Sequence, residues 1–162
     1  HKTDVGGIAL EIGNDEELKS AYRRMTNSVK QKIRGAKING VLVQKMVDGL
    51  QIIDGGKLDQ TFGQVILFGL GGIFVEFIED VTFRVVPINK IDAAEMVSEI
   101  GAQKILSNFR GKKYDSKAVI EILLRVSKML QSSSKIVELD INPLMVLQKG
   151  AVAVDARIVL GE

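Results

Sequence analysis

Val137-Glu138-Leu139-Asp140-Ile141-Asn142-Pro143-Leu144, followed by Ala151-Val152-Ala153-Val154-Asp155-Ala156-Arg157, is the stretch on which the fold class turns. Both runs are rich in Val, Ile and Leu, and the first alternates strictly between apolar and polar residues, as a half-buried β-strand does. Successive side chains on a strand point to opposite faces, so Glu138, Asp140 and Asn142 share one face. Val137, Leu139 and Ile141 share the other, the expected core side. The second run puts Asp155 and Arg157 together on one face. If Gln148-Lys149-Gly150 turns the chain into a hairpin, Asn142 and Asp155 meet across the ladder. An oxygen-only set of Asp140, Asn142 and Asp155 on a rigid sheet suits a hard cation such as Mg²⁺. The same spacing also suits an ordinary amphipathic hairpin with a solvated acidic face. Spacing alone leaves both readings open.

The composition narrows the classes around that hairpin. The 162 residues are 46% apolar and 26% charged, enough for one core and two small lobes of a globular protein. A formal charge of +2 and the lack of a basic block interleaved with aromatics argue against a nucleic-acid partner. The longest apolar run is interrupted by Gly69 to Gly72 and by Glu76, so no membrane span is expected. No signal-peptide pattern opens the chain, and the expected location is cytoplasmic. With no Cys, thiol catalysis, disulfides and zinc-thiolate sites are excluded. The only histidine is His1, which leaves no conventional Ser-His-Asp site. The chain also starts without Met and reads as a fragment.

Taken in order, the chain opens on polar residues and the Gly6-Gly7 pair, either a phosphate-approaching loop or a turn before a short strand over Ile8 to Ile12. Asn14 is a good N-cap and Glu17 sits at the capping-box position, so a helix should run to about Ile33. Val41 to Val47 reads as a buried strand, and Gln64 to Phe68 as another. Gly69-Leu70-Gly71-Gly72 after that strand is either a ligand loop needing left-handed glycine geometry or a structural turn. Ile73 to Ile78 should be a strand carrying Glu76 among apolar neighbours, with Arg84 of a following strand as a possible partner. A helix from about Ile91 to Gly101 would turn Ala94, Met96, Val97 and Ile100 inward, and a short helix over Ala102 to Phe109 follows. The last helix, capped by Asp115 or Ser116, carries the stripe Val119, Ile122, Leu123, Val126, Met129 and Leu130. This order of elements predicts an α+β fold with a mostly antiparallel sheet and flanking helices.

These segments together resemble the ATP-grasp domain of ADP-forming acetyl-CoA (acyl-CoA) synthetase β subunits, with the succinyl-CoA synthetase β chain as a more distant relative. The resemblance rests on His1-Lys2-Thr3-Asp4-Val5-Gly6-Gly7, Val41 to Val47, Phe62-Gly63 through Phe68-Gly69-Leu70-Gly71-Gly72 to Glu76, and Glu138 to Leu144 with Ala153 to Arg157. It implies an ATP-grasp-like fold, incomplete at the N-terminus: about 1–47 would be part of the nucleotide-covering lobe and 48–162 the C-terminal, metal-binding lobe. It implies that Asn142 and Asp155 bind the Mg²⁺ of Mg-ATP with Asp140 close by. Gln44, Lys45, Met46 and Val47 become the hinge strand along the adenine, and His1 and Lys2 part of a loop over the phosphates, with His1 the phosphoryl acceptor. Gln51 stands where the family normally has a ribose-binding Glu, and the preceding turn is one residue shorter.

The first functional expectation is therefore the ATP/ADP- and Mg²⁺-binding part of an ADP-forming acyl-CoA ligase, inactive as a fragment. It would partner a CoA-binding, acyl-transfer domain or α subunit in a hetero- or homo-oligomer. A catalytically inactive regulatory module fused to another enzyme is the alternative, and Gln51 favours it. A carboxylate–amine ligase on the same fold would need no loop histidine. Nothing in the chain selects the acyl group.

Overall fold

The computed structural model describes residues 4–71, 80–108 and 111–161, and the chain divides into two compact units, His1–Val47 and Asp48–Glu162.

The first unit is built on helix α1, Asp15–Lys32. The Asn14 side chain accepts from the Glu17 N–H at 2.9 Å, and Glu17 Oε2 accepts from the Gly13 N–H at 2.8 Å. Asp15, Glu16 and Glu17 lie at the positive helix end, and Lys30 and Lys32 at the negative one. The segment before the helix is tied to its later turns: Ser28 Oγ donates to the Val5 carbonyl at 2.9 Å and Lys32 Nζ to the Asp4 carbonyl at 2.8 Å. The two strands expected here do not form. Residues 8–12 and 41–47 join no ladder, and Leu42 and Val43 are 80% and 67% exposed. An extended apolar run becomes a strand only where another edge meets its N–H and C=O groups, and the described residues of this unit supply none.

Among the described residues the second unit is a six-stranded antiparallel sheet covered on one face by helices. Its strands are β1 (Leu50–Asp59), β2 (Gly63–Leu70), β3 (Val81–Val85), β4 (Ile136–Val146), β5 (Ala151–Ala153) and β6 (Ala156–Leu160). They are ordered β3-β2-β1-β4-β5, and β6 pairs with the first half of β4. Helices α2 (Lys90–Glu99), α3 (Ala102–Ser107) and α4 (Ser116–Ser132) follow β3. The core joins Ile52, Ile66, Phe68, Leu144 and Val146 of the sheet to Met96, Val119, Leu123, Val126 and Leu130 of the helices. Burying each such side chain contributes about 1.5–3 kcal/mol.

The stripe expected on α4 is the observed one at Val119, Leu123, Val126 and Leu130, with Ile122 and Met129 at its margin. On α2 the inward set is Ala93, Met96, Val97 and Ile100, and Ala94 faces solvent. Positions 93, 96, 97 and 100 follow the helical i, i+3, i+4, i+7 rule, which Ala94 breaks. Among the described residues no helix is long and apolar enough to cross a membrane.

Gly69 and Gly71 do not take the left-handed conformation expected of a ligand loop. Gly69 is inside β2 and Gly71 follows it, its N–H donating to the Gln51 carbonyl at 2.9 Å. A Cβ on Gly69 would come within 2.6 Å of Val81 Cγ1, and one on Gly71 within 3.0 Å of the Gln51 carbonyl carbon. Close backbone packing accounts for both. Gly72, Glu76 and the expected strand over Ile73 to Ile78 lie outside the described residues, as does Phe109 at the end of the expected short helix. The expected pairing of Glu76 with Arg84 therefore lies outside the described residues; Arg84 donates to Glu99 on α2, which also accepts from Thr82 Oγ1 at 2.6 Å.

Candidate functional site

Strand β4 carries the acidic face, and two irregularities in its pairing set which side chains appear there. Towards β6, Ile136 opposes Leu160 and Glu138 opposes Val159, so Val137 is an extra residue on β4. The bulge sends Ile136 into the core and leaves Val137 37% exposed, reversing the expected inward role of Val137. Leu139 keeps its buried position. Towards β1, Ile52 opposes Leu144 and Asp54 opposes Ile141, so Asn142 and Pro143 both fall opposite Ile53. Pro143 has no N–H for a ladder, and the pairing opens there. The regular β1–β4 pairing is therefore interrupted at Asn142 and Pro143.

On the other edge the hairpin forms as expected. Leu147 donates to the Gly150 carbonyl at 3.0 Å across the turn, and Gly150 holds φ 81°, which glycine adopts cheaply. Val154 N–H donates to the Pro143 carbonyl at 3.0 Å and Asn142 N–H to the Asp155 carbonyl at 3.1 Å. Asn142 is thus opposite Asp155, and the next pair along the same face is Asp140 with Arg157. Arg157 Nη1 lies 3.4 Å from Glu138 Oε1.

Helix α4 anchors this hairpin. Asp115 caps the helix by accepting from the Ala118 N–H at 3.1 Å, and its other oxygen accepts from the Gly150 N–H at 2.9 Å. The two N–H groups hold the Asp115 carboxyl below the ordinary carboxylate range. Asp115→Ala is expected to cost about 1–2 kcal/mol in urea unfolding. Amide exchange in the Gln148 to Gly150 turn should accelerate with it, and an unchanged turn would show that the cap alone matters.

Burial first, then Glu138 and Asp155, push the Asp140 carboxyl above its ordinary value, and Arg157 opposes them. A cation on this face relieves that repulsion, and the donors are all oxygen, which fits Mg²⁺. Among the described residues no three His, Cys, Asp or Glu side chains group closely enough to hold a metal by themselves. Two carboxylates and an amide agree with a cation that keeps waters and takes phosphate oxygens to complete its shell.

Gln51 is an exposed residue of β1 opposite Met145. It lies on the face that carries Asp140, whose partner Gly55 is four residues, or about 13 Å, further along the strand. Gln44, Lys45 and Met46 are exposed in the first unit, and Val47 is half-buried at its end. His1 and Lys2 lie outside the described residues. The structure therefore brings together Asp140, Asn142 and Asp155, with Gln51 on the same sheet face.

The sequence reading missed Asp54. It is 1% exposed, on the helix-covered face between Ile52 and Gly56, with Phe68 and Ile141 opposite. Neither carboxylate oxygen has a hydrogen-bond partner among the described residues. Burial pushes its pKa to about 8, against a smaller opposing pull from the Gly55 N–H. The signal was present in Leu50-Gln51-Ile52-Ile53-Asp54, a single acid closing an apolar run, the same pattern that drew attention to Glu76.

A family model described as an ATP-grasp domain matches residues 1–160. The chain is 45% identical, over all of its length, to the acetate–CoA ligase [ADP-forming] I of Archaeoglobus fulgidus, of which it spans 24%. It is 41% identical to the β subunit of acetate–CoA ligase [ADP-forming] I of Pyrococcus furiosus, covering 99% of this chain and 70% of that one. The structure superposes with a TM-score of 0.83 and 37% identity on the dinucleotide-forming acetyl-coenzyme A synthetase 1 of Ca. Korarchaeum cryptofilum. The match covers 99% of this chain and 71% of that one. That protein was solved in complex with coenzyme A and Mg-AMPPCP, its phosphohistidine segment pointing towards the nucleotide-binding site.

Proposed function

The chain belongs to the ATP-grasp family, and from that premise we propose that it is the Mg-nucleotide-binding part of an ADP-forming acyl-CoA ligase. The whole protein would convert acyl-CoA, ADP and phosphate into acid, CoA and ATP. The observation that carries this reading is the oxygen-donor set in which Asn142, bonded through its backbone to Asp155, stands beside Asp140 on one sheet face. Asn142 and Asp155 would hold Mg²⁺, with Asp140 nearby; when bound, the ion neutralises charge on the transferring phosphoryl group. Gln44 to Val47 would lie along the adenine, and Gln51 would hydrogen-bond the ribose without the charge of a glutamate. Lys2 would offer its ammonium to the phosphates, and His1 would carry the phosphoryl group. Acyl and CoA recognition would belong to another domain or subunit, in keeping with relatives that include both a longer single-chain ligase and a separate β subunit. We place the assembled enzyme in the cytoplasm, where ADP and CoA are available.

Calorimetric titration of the intact protein with ADP, with and without Mg²⁺, tests the reading. Affinity should rise with Mg²⁺, and Asp155→Ala should remove that gain, about a hundredfold, while the thermal unfolding midpoint stays near the parent's. ADP binding indifferent to Mg²⁺ in the parent would overturn the proposal. Mg-nucleotide binding without turnover in the assembled protein would instead favour a regulatory module, the reading that Gln51 supports.

A further inference from the structure

Among the described residues Arg157 is the cation of β4 and β6 that shares their acidic face, and Lys57 of β1 lies further along it, opposite Glu138. Arg157 stands directly opposite Asp140 and one pair along from Asn142 and Asp155. Its side chain is 71% exposed and touches Glu138 through one long contact of 3.4 Å. A guanidinium carries five N–H donors in a planar fork that matches phosphate oxygens two at a time. One long contact to an exposed carboxylate uses little of that capacity, and such exposed pairs hold weakly. Reaching away from Glu138 therefore costs the side chain little.

We propose that Arg157 is a polyphosphate-binding residue of this site, held beside Glu138 and Asp140 and transferring its guanidinium to the terminal phosphate oxygens of a bound nucleoside di- or triphosphate. The inference rests on the reading of the face as a Mg-nucleotide site and adds a residue to it. Two features of the face support the transfer. Asp140 and Asp155 lie on the face that Arg157 shares, so a divalent cation held there by the carboxylates takes over the counter-charge that Arg157 otherwise supplies. The guanidinium is then repelled by the cation and drawn to the anion that arrives with it. Strand β6 fixes the Arg157 backbone in the same ladder as Asp140, so the head group swings on its own stem and no backbone movement is required.

A role in phosphate binding and a merely structural role differ in how the loss depends on the ligand. Adenosine, AMP, ADP and ATP are titrated against the intact protein, Arg157→Gln and Arg157→Lys at constant Mg²⁺, with Arg125→Gln, an exposed change on α4, as control. Arg157→Gln should weaken ADP and ATP by about ten- to a hundredfold and leave adenosine unchanged. Arg157→Lys should recover part of the loss, because it restores charge without the fork. Equal weakening of adenosine and ADP, or unaltered ADP affinity in Arg157→Gln while the parent binds Mg-ADP, would overturn the assignment. Absence of Mg-dependent ADP binding in the parent would remove the nucleotide reading itself, a result separable from either.

Discussion

Asp54→Val is expected to stabilise the chain at pH 8 by several kcal/mol. The carboxyl lies on the helix-covered face of β1 with Phe68 and Ile141 opposite, and its oxygens form no hydrogen bond of ordinary geometry among the described residues, the Gly55 N–H giving only a weak pull. Burial moves its pKa from the ordinary carboxylate value near 4 to about 8. The folded chain therefore keeps a proton that the unfolded chain releases, and stability falls as pH rises between those two values. It is full below about pH 4 and declines by about 1.4 kcal/mol per pH unit, levelling off above pH 8 after a loss on the order of 5 kcal/mol. Valine has no charge to desolvate and suits a strand interior. Asp54→Asn keeps the shape and removes only the titration. Urea midpoints from pH 4.5 to 9 should slope downward for the parent relative to both variants, whose curves run parallel to each other. Three parallel curves would show that Asp54 finds a partner in the folded chain.

That acid also marks the limit of what pattern could supply. The alternation of Glu138 to Asn142 and the turn at Gln148 to Gly150 gave the hairpin and its facing residues, because period two and turn chemistry are local properties. Alternation points Val137 inward, because it cannot reveal a bulge, which exists only relative to the β6 partner. Val41 to Val47 has every local mark of a strand and is not one, since a strand is completed by its neighbour. Gly69 and Gly71 were legible as required glycines, but the requirement is room for Val81 and the Gln51 backbone, a tertiary fact. The stripe on α4 was read almost residue for residue, because a long amphipathic helix carries its own period. At the site, the juxtaposition of Asp140, Asn142 and Asp155 follows from the hairpin alone; their Mg²⁺ role and the roles of His1, Lys2 and Gln44 to Val47 rest on family resemblance.

His1→Ala is expected to lower turnover in the assembled ligase by about four orders of magnitude or more, the scale of loss when a covalent nucleophile is removed. In the proposed reaction an imidazole nitrogen attacks the phosphorus of an acyl-phosphate, and the carboxylate of the free acid leaves with the electron pair of the broken P–O bond. An oxygen of the ADP β-phosphate then attacks the phosphoryl group, and the P–N bond breaks to return the imidazole and give ATP. Alanine offers no atom to hold the phosphoryl group between these steps. Mg-ADP affinity should fall only a few-fold, since Asn142, Asp155 and Gln51 are untouched. Incubation with ³²P-labelled phosphate and acyl-CoA should label the parent in an acid-labile, base-stable form, as a phosphoramidate is, and leave His1→Ala unlabelled. Turnover equal to the parent's would remove His1 from the mechanism, and loss of Mg-ADP binding in step with turnover would make it a binding residue. Retained binding with lost labelling is the result that assigns the phosphoryl group to this imidazole, because only the covalent step then distinguishes the two proteins.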